Sequence, residues 1–180
     1  MIVYGYVLSV LYGILCLGIA AFAYKLGMAK KYTRKIVHIL VGFEWVILYH
    51  FMGVGIHFVA VALLFTLMLL ITHVKKLMPM ISSDAENSPG TVYYGVAMSF
   101  MAMLSCFAKD YVFAFGISVF CTSIGDGLAA VIGSSFKKCN PKIYKNKTLF
   151  GTVAAFVFSF VSAYVFSLVY SLPINAAECL

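Results

Sequence analysis

Composition, segment lengths and charge placement together specify an all-α, polytopic integral membrane protein with about six transmembrane helices and both termini external. The 180 residues are 63% hydrophobic and 11% charged, with a mean hydropathy of +1.01. One soluble core cannot hide that much apolar surface, so the solvent for most side chains is lipid. The apolar residues fall in five stretches, Ile2 to Tyr24, Ile36 to Val74, Thr91 to Ala108, Tyr111 to Phe136 and Leu149 to Leu172. A spanning helix needs about 20 residues. The second stretch, with the bend Phe51-Met52-Gly53-Val54-Gly55, therefore reads as two helices, making six spans. Twelve of the thirteen basic residues lie in alternate loops, leaving Lys109 on the other side. By the positive-inside rule those loops are cytoplasmic.

The net charge of +7 follows from this topology and from attraction to anionic headgroups. No soluble basic face for nucleic acid is present. The first span lacks a basic n-region and a small-residue cleavage site, so it reads as a retained helix. The five cysteines form no CxxC pair and no metal-spaced cluster, which argues against zinc and a disulfide framework. No internal repeat is visible, and residues 1–180 read as one membrane domain.

The first cytoplasmic loop closes with Tyr32-Thr33-Arg34-Lys35-Ile36-Val37-His38. Arg34 and Lys35 put fixed cations at the membrane surface, suited to a phosphate or lipid headgroup and equally to simple anchoring. His38 shares a helical face with Arg34, and Glu44, further along the same span, is a buried acid in need of a partner. In the second loop Pro89-Gly90 marks a turn and Thr91 is placed to cap the next helix. Gly90 and Thr91 then form a small anion site, or only loop punctuation.

Asp126 is the most informative residue, an acid inside a membrane-length apolar run and flanked by Gly125 and Gly127. An intramembrane carboxylate is penalised by about 2.5–3.5 kcal/mol on insertion scales and is a functional-site hypothesis by default. Either the helix breaks at the glycines or a polar cavity reaches in from the cytoplasm. The third loop follows with Lys137, Lys138, Lys142, Lys145 and Lys147, then Thr148 and Gly151 at the start of the last helix. Lysine charges at a helix N-terminus suit a polyphosphate, and an acid nearby supplies a magnesium ligand, the requirements of phosphoryl transfer.

Four motifs, Arg34-Lys35-Ile36-Val37-His38, Pro89-Gly90-Thr91-Val92-Tyr93-Tyr94, Gly125-Asp126-Gly127-Leu128-Ala129-Ala130-Val131-Ile132-Gly133 and Lys147-Thr148-Leu149-Phe150-Gly151-Thr152, occur in the order and rough spacing of the polyprenol kinase family. The chain resembles phytol kinase, dolichol kinase and the CTP-dependent diacylglycerol kinases from about Arg34 to Thr152. The resemblance implies magnesium-dependent transfer of a phosphate from CTP, or from ATP, to the hydroxyl of an isoprenoid alcohol or diacylglycerol. Asp126 would be the magnesium-binding or catalytic acid, Lys147 and Thr148 the phosphate contacts, and Gly151 a close-approach position. Lys145 would join Lys147 along the phosphates, with Arg34, Lys35, Gly90 and Thr91 as further phosphate contacts and His38 and Glu44 in support. The site would face the cytoplasm.

Phe150 stands where relatives commonly carry an acid, and Ser134-Ser135-Phe136-Lys137 supplies no second glycine. Longer relatives continue into further helices beyond the point matching Leu180. Phosphatidate cytidylyltransferases share an Asp-x-x-Ala-x-x-x-Gly stretch and a Lys-(Ser/Thr) motif, and make CDP-diacylglycerol. Their acidic and histidine-rich C-terminal signature has no counterpart here. A third reading is a non-catalytic membrane protein using Asp126 and Glu44 as a proton or ion path. The lipid acceptor and the oligomeric state are left open by the sequence.

Overall fold

The computed structural model describes residues 1–53, 55–75, 90–107, 110–135, 141–144 and 147–172. It is all-helical apart from one small hairpin. Five helical segments, Ile2–Lys25, Lys30–Met52, Ile56–Lys75, Tyr111–Ser135 and Leu149–Val169, are long and apolar enough to cross a membrane. This is the architecture of an integral membrane protein. The chain forms two compact units, Met1–Phe115 and Gly116–Leu180.

In the first unit, α1 (Ile2–Lys25) packs along α2 (Lys30–Gly42) and α3 (Glu44–Met52), and α4 (Ile56–Lys75) packs along α5 (Gly90–Leu104). α1 stops where Gly27 takes φ +87°. Met28 N–H then reaches Ala23 O, and Gly27 N–H reaches Tyr24 O. That pair of bonds is a Schellman cap, which favours glycine at the left-handed position.

α2 and α3 are one span interrupted at Phe43, whose N–H turns back to Leu40 O. Tyr12 on α1 donates its hydroxyl proton to the same carbonyl at 2.7 Å. A carbonyl disturbed by a helix break is thus satisfied from the neighbouring helix, as a lipid environment requires. Trp45, 2% exposed, stacks on Tyr49 at 5.0 Å between ring centroids.

α4 and α5 meet through small residues. A methyl group at Gly95 would lie 3.2 Å from Thr66 Cα, and Thr66 Oγ1 is 2.8 Å from Ser99 Oγ. Close backbone approach with a hydroxyl contact is a common way for apolar helices to pair. α5 has 15 residues and ends at Leu104, so it is shorter than the expected span to Ala108. It also begins at Gly90, which places Thr91 inside the first turn. The expectation that Thr91 caps this helix is corrected accordingly. α6 (Asp110–Phe120) starts in this unit, where Phe115 packs edge-on against Phe58.

In the second unit the helix continues from α6 as a π-helical turn, Cys121–Asp126, and then as α7 (Gly127–Ser135). Of the two alternatives for Asp126, the break at the glycines does not occur. The helix widens instead and stays continuous, with Gly127 N–H shared between Ser123 O and Ile124 O. Strands β1 (Lys142–Tyr144) and β2 (Lys147–Thr148) pair antiparallel and deliver the chain to α8 (Leu149–Val169). α8 packs against both α7 and the π turn.

Candidate functional site

The second unit holds most of the proposed chemistry. π turns are rare and are frequent at functional sites, because one extra residue per turn rotates the side chains that follow. Here the turn buries Ser123, Gly125 and Gly127 and leaves Asp126 exposed. Ser118 and Thr122, at four-residue steps before Asp126, are exposed too. They form a polar stripe on an otherwise apolar span. Asp126 lies nine residues before Ser135, roughly 14 Å along the helix from its end.

α8 holds the other side of this segment through two matched rows of small residues. Gly125, Ala129 and Gly133 recur every four residues on one helix, and Gly151, Ala155 and Ser159 do so on the other. A methyl group at Gly125 would overlap Ser159 Oγ and sit 3.3 Å from Ala155 O. One at Gly151 would sit 3.2 Å from Ala129 O, and one at Gly133 would sit 3.2 Å from Gly151 Cα. The pairing runs antiparallel, with backbones almost in contact, as small-residue rows permit. At the π turn itself, Ser159 Oγ donates to Cys121 O, and Cys121 Sγ donates to Ser159 O, both at 3.3 Å. These cross-helix bonds hold the start of the turn that presents Asp126.

Thr148 is the N-cap of α8. Its Oγ1 accepts from Gly151 N–H at 3.3 Å and donates to Gly133 O at 3.4 Å. Leu149 N–H is taken by Pro141 O at 3.0 Å. The hydroxyl expected to touch phosphate thus ties α8 to α7, and the close approach at Gly151 is made to α7. Thr148→Val should remove both bonds and destabilise the fold by about 1 kcal/mol, in the range of cap losses, whereas Thr148→Ser should restore it. The unfolding midpoint in detergent reads this out.

Lys147 in β2 is exposed, as is Lys142 in β1, and the register sets Lys142 opposite Thr148. Two lysines are therefore held beside the α8 N-terminus. Lys145 lies outside the described residues. Seven residues, two helical turns or about 10 Å, separate Asp126 from Gly133, where Thr148 docks. A ligand touching both ends must be extended.

The first unit collects a second group. Arg34 and Lys35 are half-buried on the second turn of α2, and one turn further His38 packs against Tyr94 of α5 at 4.3 Å between ring centroids. This contact joins the Arg34-Lys35-x-x-His38 motif to the helix that starts at Gly90 and Thr91. Glu44 is not part of that group, because it faces α1 beyond the break at Phe43. Tyr94, Ser118, Thr122 and Ser159 were not singled out from the sequence as site residues. The four-residue recurrence of small and polar side chains is the signal that marks the last three.

Among the described residues no group of three or more His, Cys, Asp or Glu side chains gathers as a metal cage. A single exposed carboxylate fits magnesium differently, since that ion is commonly held by one or two carboxylates together with waters and substrate phosphates.

The fold and these groups define a helical membrane protein with an acid presented from a π turn and a lysine-flanked, capped helix start. No protein-family model matches the chain, and no curated protein or solved structure matches it either.

Proposed function

We propose that the chain is a membrane lipid kinase, transferring a phosphate from CTP or ATP to the hydroxyl of an isoprenoid alcohol or diacylglycerol on the cytoplasmic side of the membrane. The observation that carries this reading is the exposure of Asp126 at the end of the polar stripe Ser118, Thr122 and Asp126, on a helix whose partner begins at Lys147 and Thr148. In this topology the loops rich in lysine are cytoplasmic and both termini are external. The roughly 10 Å between Asp126 and the capped end suits a polyphosphate better than a single phosphate.

Lys147, with Lys145 beside it in sequence, would neutralise the donor's phosphate oxygens. Asp126 would hold magnesium jointly with those phosphates, and the metal supplies charge neutralisation on the transferring group. The stripe above Asp126 offers hydroxyls to an acceptor alcohol approaching sideways from the bilayer, so its apolar chain need not leave lipid. The His38 and Tyr94 contact supports the order of motifs shared with the polyprenol kinases, and Arg34 and Lys35 serve as headgroup or phosphate contacts.

The test is turnover by purified protein in detergent with magnesium, γ-labelled CTP or ATP, and a mixture of prenols and diacylglycerol. Label in the lipid fraction is the expected result. Labelled pyrophosphate released from CTP only when phosphatidate is present would move the assignment to a cytidylyltransferase. Absence of both would leave the non-catalytic reading.

A further inference from the structure

Glu44 has no part in the phosphoryl transfer proposed above, yet like Asp126 it lies well inside its span. It opens α3 fourteen residues after Lys30 and eight before Met52, or about 21 Å and 12 Å along the helix axis. Ser9, Tyr12 and Cys16 come to it from α1, spaced so that they share one helical face. Ser9 and Cys16 are 9% and 1% exposed.

The bonding around Glu44 is specific about what it lacks. Tyr12 has already given its proton to Leu40 O. Glu44 approaches Ser9, but at a geometry that leaves both Glu44 Oε1 and Ser9 Oγ buried without a formed hydrogen bond. Tyr12 and Cys16 are the titratable groups that feel its charge, and both are neutral at physiological pH. No cation pairs with Glu44 among the described residues.

A carboxylate here would be an uncompensated charge within the hydrocarbon. A carboxylic acid removes that charge, and its O–H can donate to Ser9 Oγ. We propose that Glu44 and Ser9 form a proton-binding site in the membrane interior, with Glu44 standing as the neutral acid at neutral pH. The ligand is a proton alone, and the site is independent of Asp126 and of the kinase reading.

Infrared spectroscopy of the full chain in lipid nanodiscs tests this without any substrate. Protein carrying glutamate labelled with carbon-13 at the side-chain carboxyl should show a protonated-carboxyl C=O band at pH 7, displaced from its position in unlabelled protein. The band should vanish in Glu44→Gln and shift in Ser9→Ala. Should Glu44→Gln fail to fold, a labelled Glu86→Gln, Glu178→Gln double variant leaves Glu44 as the sole glutamate, and the band must persist there. Labelled wild type with carboxylate bands alone at pH 7 would overturn the proposal.

Discussion

Asp126→Asn should reduce lipid phosphorylation on the order of a thousandfold or more, while Lys142→Ala changes it little. Asparagine is nearly isosteric, so the π turn and its packing against α8 should survive. The change removes only the charge, and with it the magnesium-holding and electrostatic capacity of a group acting in the transition state. Asp126 is exposed while Gly125 and Gly127 are buried, so the substitution falls on the side of the turn away from the buried glycines. The measurement is label transferred to lipid per unit time, beside the unfolding midpoint of each variant. Equal and mild losses from Asp126→Asn and Lys142→Ala would sink the catalytic assignment, since a generic basic surface would then account for both.

Gly133→Leu should be strongly damaging to the second unit. A Cβ at this position meets Thr148 Oγ1 at 2.9 Å and Gly151 Cα at 3.2 Å. The first neighbour is the capping hydroxyl and the second is backbone, so relief requires moving α8 from α7. Overpacking of this kind costs about 1–3 kcal/mol, and loss of the Thr148 cap adds about 1 kcal/mol. The expected outcome is a clear fall in the unfolding midpoint in detergent, larger than that of Thr148→Val. Gly18→Leu is the control, because nothing lies within 4 Å of a Cβ there. If both variants unfold alike, the glycine contact is not what joins these helices.

Glu44 and Asp126 illustrate what can and cannot be read from a membrane sequence. Both were legible as costly acids in apolar runs, because the price of a charge in hydrocarbon depends on composition and depth alone. Their surroundings were not. Which side of the helix each acid occupies depends on local helical pitch and on the neighbour's small residues, and neither is encoded in a hydropathy pattern. The π turn is the clearest case, since Gly125 and Gly127 suggested a break, whereas close packing against Ala155 and Ser159 keeps the helix intact.

Thr148 and Gly151 make the same point at the start of α8. Their positions at the start of α8 were evident from the transition between a lysine-rich loop and an apolar run. Their contacts were not, because Thr148 bonds to Gly133 fifteen residues earlier, across a hairpin. Likewise the pairing of β1 with β2 depends on a register that the lysine-rich composition obscured.

The apolar stretches and their lengths sufficed to specify helices and approximate spans, because transfer into lipid is close to additive along the chain. Packing is not additive. It required the tertiary structure to show that Gly125, Ala129 and Gly133 interlock with Gly151, Ala155 and Ser159, that Asp126 is turned outward by one extra residue in a helical turn, and that Glu44 is set against Ser9. In each case the deciding contact joins residues distant in sequence, and steric fit between backbones determines it.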